Sequence, residues 1–413
     1  MGNCYSQSDQ PPEPVEDEES ITAELKRKMN SISYKKGTNL RSNDEILQKY
    51  KIIKQLGSGL FSKVYLAQDE FGQKAAIKII KKKDFSTQDT IQKIVLEKEV
   101  LKLLNHDCIL KLYKTVQSDS RIYFFLEYAS KGNLLQLLNI KNRFEAPEVR
   151  LISAQIVEAL LYIHSKGIIY GDLKAENVLI NEHGLIKLCD FNLSGTKSIL
   201  NDTIQGTVCY ISPEIIEGKK RTKKSDFWAL GVLVHLLFYR RYPFRFNNQT
   251  DLFYNIVNRN IQPETGEVRA PPSLKKFIDD LLNRDFRKRI GNSIEEFMAH
   301  PFFKDFDWKN YRSAPDKFKY IEGVPDLDED GSTGKKDTSD IDDFRNIKDT
   351  HNPKFMYNIE GFTFENGKKD YVPRSEPNRK ANIEEDFQDL IPNSDPHRKK
   401  LPEEKAKRAN SHA

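Results

Sequence analysis

One stretch constrains this chain more than any other: Ile169-Tyr170-Gly171-Asp172-Leu173-Lys174-Ala175-Glu176-Asn177-Val178-Leu179-Ile180, followed shortly by Cys189-Asp190-Phe191-Asn192. Two carboxylates, a lysine and an asparagine stand between apolar runs, a combination too specific for coincidence. Its surroundings divide the chain into two kinds of structure. Before it, short β-type runs at 50–56, 64–68 and 74–80 are separated by glycine-containing turns, the pattern of an antiparallel meander. Residues 89–104 then place Ile91, Ile94, Val95, Leu101 and Leu104 at helical spacing, and apolar strands follow near 110–115 and 122–128. Beyond Lys131 the segments 134–138, 146–165, 225–239 and 274–282 read as helices. The pattern predicts an α+β chain with a small antiparallel sheet and one helix in a first lobe, and a larger helical second lobe. No internal repeat is visible.

A chain of 413 residues fits one such two-lobed domain with polar ends. Residues 1–45, broken by Pro11, Pro12 and Pro14 and carrying Glu13, Glu16, Asp17, Glu18 and Glu19, predict a mostly disordered leader; the stretch after Gly367 predicts a disordered tail. The 66 basic and 61 acidic residues nearly cancel to +5, which does not suit a nucleic-acid binder. Cys4, Cys108, Cys189 and Cys209 form no metal or disulfide framework, so a reducing, cytoplasmic setting is expected. The longest apolar stretch, 227–239, contains His235 and is too short to cross a bilayer, so it predicts a buried core helix. The N-terminus lacks the apolar run of a secretory signal.

Leu56-Gly57-Ser58-Gly59-Leu60-Phe61-Ser62-Lys63-Val64 lies between two strands, where Gly57 and Gly59 let backbone amides approach phosphate oxygens. A glycine pair alone is more often an ordinary turn. It gains meaning from Lys78 in Ala75-Ala76-Ile77-Lys78, a cation inside an apolar strand. Such a lysine either snorkels to solvent or serves nucleotide phosphates while a carboxylate holds it. Glu97, on the helix that follows, is the candidate partner; Glu99 falls on another helix face.

These residues resemble the catalytic and magnesium loops of protein kinases. The resemblance implies a two-lobed kinase fold over residues 50–303, with an N-lobe at 50–127 and a C-lobe at 132–303. It implies that Asp172 accepts the substrate hydroxyl's proton, that Lys174 steadies the γ-phosphate of ATP, and that Asn177 and Asp190 hold Mg²⁺. Gly206-Thr207-Val208-Cys209-Tyr210-Ile211-Ser212-Pro213-Glu214 resembles the family's peptide-positioning loop, with Arg289 expected to pair with Glu214. Leu56, Val64, Ala76, Glu127, Ala129, Leu179 and Cys189 would line the adenine pocket. The implied activity is phosphorylation of Ser or Thr in protein substrates during intracellular signalling, by a monomeric catalytic domain.

Within the family the chain resembles the AGC group, through Ala229-Leu230-Gly231-Val232, His300-Pro301-Phe302-Phe303, and an extension at 304–366 carrying Ile359-Glu360-Gly361-Phe362-Thr363-Phe364. That likeness implies that Phe362 and Phe364 insert into a groove beside the glutamate helix, and that Thr363 and Thr203 are phosphosites. Asn192 after Asp190-Phe191, Gly2 and Arg240-Arg241-Tyr242-Pro243 resemble the small YANK subfamily. Two residues depart from the wider pattern. Gly171 stands where an arginine usually clamps a phosphorylated loop, and Asn192 stands where glycine is usual, although Asn tolerates positive φ better than most residues. A catalytically impaired pseudokinase that binds nucleotide as a scaffold is the alternative. Met1-Gly2-Asn3-Cys4-Tyr5-Ser6 fits myristoylation at Gly2 with Cys4 placed for palmitoylation, which predicts attachment to the cytoplasmic face of a membrane.

Overall fold

The computed structural model describes residues 18–30, 34–35, 46–59, 62–84, 87–118, 120–200, 205–262, 268–313, 319–327, 358–359 and 362–365. The first lobe is built on β2 (Tyr50–Ser58), β3 (Ser62–Asp69), β4 (Lys74–Lys81), β5 (Leu112–Gln117) and β6 (Arg121–Leu126). Together with β12 (Phe364–Glu365), from the chain's C-terminal part, they form a six-stranded sheet in the order β12-β5-β6-β4-β3-β2. Alternation along β4 gives the sheet two apolar faces: Ile77 and Ile79 join Tyr65, Tyr123 and Phe125 on one side, while Ala76 and Ile80 meet Phe124, Leu126 and the main core on the other. Helix α2 (Gln88–Leu103) covers that second face, starting at Thr87, whose side chain accepts a hydrogen bond from the Thr90 amide.

The second lobe contains α3 (Leu134–Lys141), α4 (Ala146–Ser165), α5 (Pro213–Ile216), α6 (Lys223–Tyr239), α7 (Gln249–Asn258), α8 (Pro272–Leu281) and α9 (Ile294–Met298). Short pairs β7 (Ile168–Ile169) with β10 (Gly195–Thr196), and β8 (Val178–Ile180) with β9 (Ile186–Leu188), carry the loops between the lobes. Helix α6 is apolar on every side, and Phe227, Trp228, Leu230 and Leu237 are fully enclosed, as a helix in the middle of a core must be. No helix among the described residues is long and apolar enough to cross a membrane.

The leader departs from its composition. Residues 18–30 form helix α1 (Glu18–Asn30), and β1 (Tyr34–Lys35) pairs antiparallel with β11 (Asn358–Ile359). Helix α1 has few apolar residues, yet Ile21 and Leu25, one turn apart, are both buried in the main core, where α1 packs on α2. The leader cannot form a core alone; it completes one supplied by another helix. Residues 1–17 and 366–413 lie outside the described residues.

Candidate active site

A cleft of about 620 Å³ opens between the lobes. Leu56, Gly57, Gly59, Val64, Ala76, Lys78, Glu97, Glu127, Ala129, Asn177, Leu179, Cys189 and Asp190 all line it. Strand β4 presents Lys78 opposite Phe124 of β6, and α2 brings Glu97 across the sheet, so that Lys78 Nζ lies 2.6 Å from Glu97 Oε1 and 3.5 Å from Asp190 Oδ1. Burial disfavours both charges. The attraction of Glu97 and Asp190 nevertheless outweighs it at Lys78, holding that ammonium's pKa above its ordinary value. Burial pushes the Glu97 carboxyl up, and Lys78 opposes that push. Glu99, two residues on, pairs instead with Lys98 and Lys102 at 2.8 and 3.0 Å.

Asp172 stands beside the cleft and is nearly buried. Its Oδ2 accepts hydrogen bonds from Lys174 Nζ at 2.7 Å and Asn177 Nδ2 at 2.9 Å, and Asn177 Nδ2 also donates to the Asp172 carbonyl. The loop therefore folds back on its own carboxylate. From behind, Asp226 in the first turn of α6 accepts from the amides of Tyr170 and Gly171 at 2.9 and 2.8 Å and bonds His164 Nε2 at 2.8 Å. In the peptide-positioning segment, Arg289 meets Glu214 through two hydrogen bonds of 2.8 and 2.9 Å, fully enclosed.

The donor set fits the groups that the sequence implies. Leu56, Val64, Ala76 and Leu179 make apolar walls suited to a flat base. Asp190 and the amide oxygen of Asn177 are hard oxygen donors, and Mg²⁺ takes one or two such protein ligands plus phosphate oxygens and water. Among the described residues no cluster of three or more His, Cys, Asp or Glu side chains is suited to a separate metal ion. Cys189 lines the cleft, but burial and then the neighbouring Asp190 push its thiol pKa up, so it stays protonated.

One expectation changes. The backbone of the second loop takes its left-handed turn at Asp190, with φ of 59°, whereas Asn192 is not among the described residues with positive φ. The tolerance of Asn for that conformation is thus not what keeps the loop intact. Sequence reading also missed that the segment 319–327 closes the cleft: Leu327 lines it, its amide donates to the Ser130 carbonyl at 2.7 Å, and Asp326 binds Ser130 Oγ and Lys131 Nζ at 2.6 and 3.1 Å. Its sequence signal is the apolar set Tyr320, Ile321, Val324 and Leu327 just ahead of a polar run, of which Tyr320 and Val324 are buried.

Phe362 is buried beside α2, edge-on to Phe124 at 5.8 Å, with its carbonyl accepting from Thr115 Oγ1 at 2.6 Å and Lys98 Nζ at 3.3 Å. Phe364 is half-buried under the Lys102 ammonium, 4.9 Å from its ring centre, and Thr363 between them is exposed. Gly2, Cys4 and Thr203 lie outside the described residues.

The protein kinase domain model matches residues 50–303. Human 3-phosphoinositide-dependent protein kinase 1 is 35% identical over 299 residues, covering 68% of this chain and 52% of that enzyme. Human protein kinase C eta type is 32% identical over 309 residues, covering 71% and 44% respectively. The cAMP-dependent protein kinase catalytic subunit 3 of Drosophila melanogaster is 32% identical over 302 residues, covering 72% and 50%. The chain thus spans about half the length of these relatives. With its cleft, ion pair and loops assembled as described, the chain belongs to the protein kinase family, in the AGC group of Ser/Thr kinases.

Proposed function

We propose that the chain is a catalytically active ATP-dependent Ser/Thr protein kinase and not a nucleotide-binding scaffold. The observation that carries this reading is that Lys78, Glu97 and Asp190 are joined in one cluster while Asp172, Lys174 and Asn177 are joined in another beside it. All six groups that serve phosphoryl transfer are present and within hydrogen-bond reach of a neighbour. ATP would supply the γ-phosphoryl group, with Mg²⁺ offsetting its charge. Asp172 accepts the proton of the incoming Ser or Thr hydroxyl as its oxygen bonds to phosphorus and the bond to the ADP oxygen breaks. Lys174 and Lys78 would donate to phosphate oxygens, Glu97 holds Lys78 in place, and Asn177 and Asp190 would hold the metal.

Single-turnover mixing of the full chain with Mg-ATP and a Ser/Thr peptide tests this. The wild type transfers phosphate, and Asp172→Asn slows transfer about 10²–10⁴-fold, the range for loss of a positioned base. A wild type that binds nucleotide without transfer would establish the scaffold reading instead.

The finer reading of location is attachment to a membrane through myristate on Gly2 and palmitate on Cys4. The pattern of residues 1–6 supports it, and one myristoyl chain holds only marginally, so the second acyl group is required. Gly2→Ala should move the protein from membrane to supernatant on cell fractionation. Wild type that is already in the supernatant, with no N-terminal acyl mass, refutes it.

A further inference from the structure

The loop that carries Asp172 is held on one side by Asp226, which takes the Gly171 amide. On the other side stands Arg221, in the link just before the N-cap of α6. Its Nη1 donates to the Gly171 carbonyl, and its Nη2 donates to the Gln205 carbonyl at 2.9 Å. Both backbone groups of the residue preceding Asp172 are therefore fixed from the start of one helix: the N–H by a carboxylate, the C=O by a guanidinium.

The second contact reaches further. Gln205 precedes Gly206, which has φ of 100° and lies so close to the catalytic loop that a Cβ there would sit 3.4 Å from Asp172 Oδ1. Anchoring the Gln205 carbonyl thus fixes the backbone that passes directly over the Asp172 carboxylate. Gly171 itself has φ of 84°, and a Cβ on it would come within 2.6 Å of Arg221 Nη1. A Cβ there would crowd the guanidinium where it stands and would also meet the Leu193 carbonyl at 2.6 Å. The fork geometry of arginine, with paired terminal N–H groups, suits two carbonyls from different segments in a way that a single ammonium cannot.

We propose that Arg221 is a positioning residue for phosphoryl transfer, tying the catalytic loop to the segment over Asp172 through the carbonyls of Gly171 and Gln205. It touches neither nucleotide-cleft wall nor reacting atoms; it acts through the placement of Asp172. This rests on the kinase reading above. Because the cleft walls lie elsewhere, loss of Arg221 should appear in kcat and leave KM for ATP nearly unchanged, the signature of an interaction that matters in the transition state.

The test uses the full chain with Mg-ATP and one Ser/Thr peptide, comparing wild type, Arg221→Ala and Arg221→Lys. Arg221→Ala should lose about 10–100-fold in kcat with KM for ATP within about twofold. Arg221→Lys, which can reach one carbonyl only, should fall between. Millimolar methylguanidinium, which replaces the missing fork, should restore part of the Arg221→Ala rate and leave wild type unchanged. If Arg221→Ala fails to fold, Arg221→Lys decides: a reduced kcat at unchanged KM for ATP supports the assignment, and a wild-type kcat or a raised KM for ATP with kcat intact overturns it. A transferring wild type beside an Arg221→Ala within about twofold in kcat overturns this inference alone. A wild type with no transfer overturns the kinase reading and this one with it.

Discussion

At the scale of single residues, the site was legible wherever a short-range geometry imposes a spacing. Asn177 can bond back to Asp172 because a tight turn separates them, so the pair is written into one contiguous motif. Glu97 was distinguishable from Glu99 by helix phase alone, and the 2.6 Å contact to Lys78 follows that phase. Long-range pairs were legible where the family resemblance carries them, as for Glu214 and Arg289; what could not be read were contacts that it does not carry. Arg221 meets Gly171 across fifty positions, and no pattern links the two. From the sequence, Gly171 reads as the loss of a cation; in space a different arginine fills the room that the missing side chain leaves. A glycine at a site that usually bears a side chain therefore shows where space was made, and not what occupies it. Asn192 shows the converse. Its residue type invited a backbone argument, but the left-handed conformation resides two positions earlier, at Asp190.

At the scale of elements, periodic strands and helices were recovered because their own apolar residues define a face, whereas α1 and the pieces near the C-terminus become ordered only against a partner. Two buried side chains, Ile21 and Leu25, seat α1 on α2, and its first residue reaches the other lobe: a Cβ on Gly167 would lie 2.8 Å from Glu18 Cγ. The same α2 receives Phe362, whose neighbour Ile359 exchanges hydrogen bonds of 3.0 and 2.7 Å with Gln117. Leader and tail thus brace the helix that supplies Glu97, and the pairing of β1 with β11 joins the two braces. Removing either should loosen Glu97 from Lys78. Phe362→Ala, a large-to-small change of the kind that costs about 3–5 kcal/mol in a core, is expected to lower kcat/KM more than about tenfold. Leu25→Asp, which places a carboxylate against α2, is expected to act in the same direction, while Thr203→Ala loses less than about tenfold. Steady-state kinetics on one peptide ranks the three. Wild-type kcat/KM for both Phe362→Ala and Leu25→Asp would show that the braces do not support the ion pair.

At the scale of the whole molecule, the packing that assembles the site also buries histidines, and this sets a pH dependence. His106 is stacked on Tyr162 at 5.0 Å, and its Nδ1 accepts the Cys108 amide at 3.1 Å, which requires the neutral ring. Burial, aided by the charge of Arg312, lowers its pKa to about 3. His235, inside α6 with Nδ1 donating to the Arg241 carbonyl at 2.7 Å, is lowered by burial to about 4. Unfolded, each would titrate near about 6.5. Between those values the unfolded chain binds more protons than the folded one, so stability is full above about pH 6.5 and falls as pH drops. At pH 5 the loss is about 2 kcal/mol for each histidine. Carboxylates with depressed pKa values, such as Glu214 beside Arg289, lose their contribution only below about pH 4.5, so from pH 7 to 5 the loss comes from the buried histidines, His300 among them, against an opposing contribution from Glu97 and Asp279, whose carboxyl pKa values burial raises. The urea midpoint of the full chain should therefore fall steadily across that interval, and the slope should shrink in His106→Gln whatever that variant's stability at pH 7. A slope in His106→Gln as steep as in wild type would mean that the His106 ring accepts a proton in the folded state, and the buried neutral ring that accepts the Cys108 amide would be wrong.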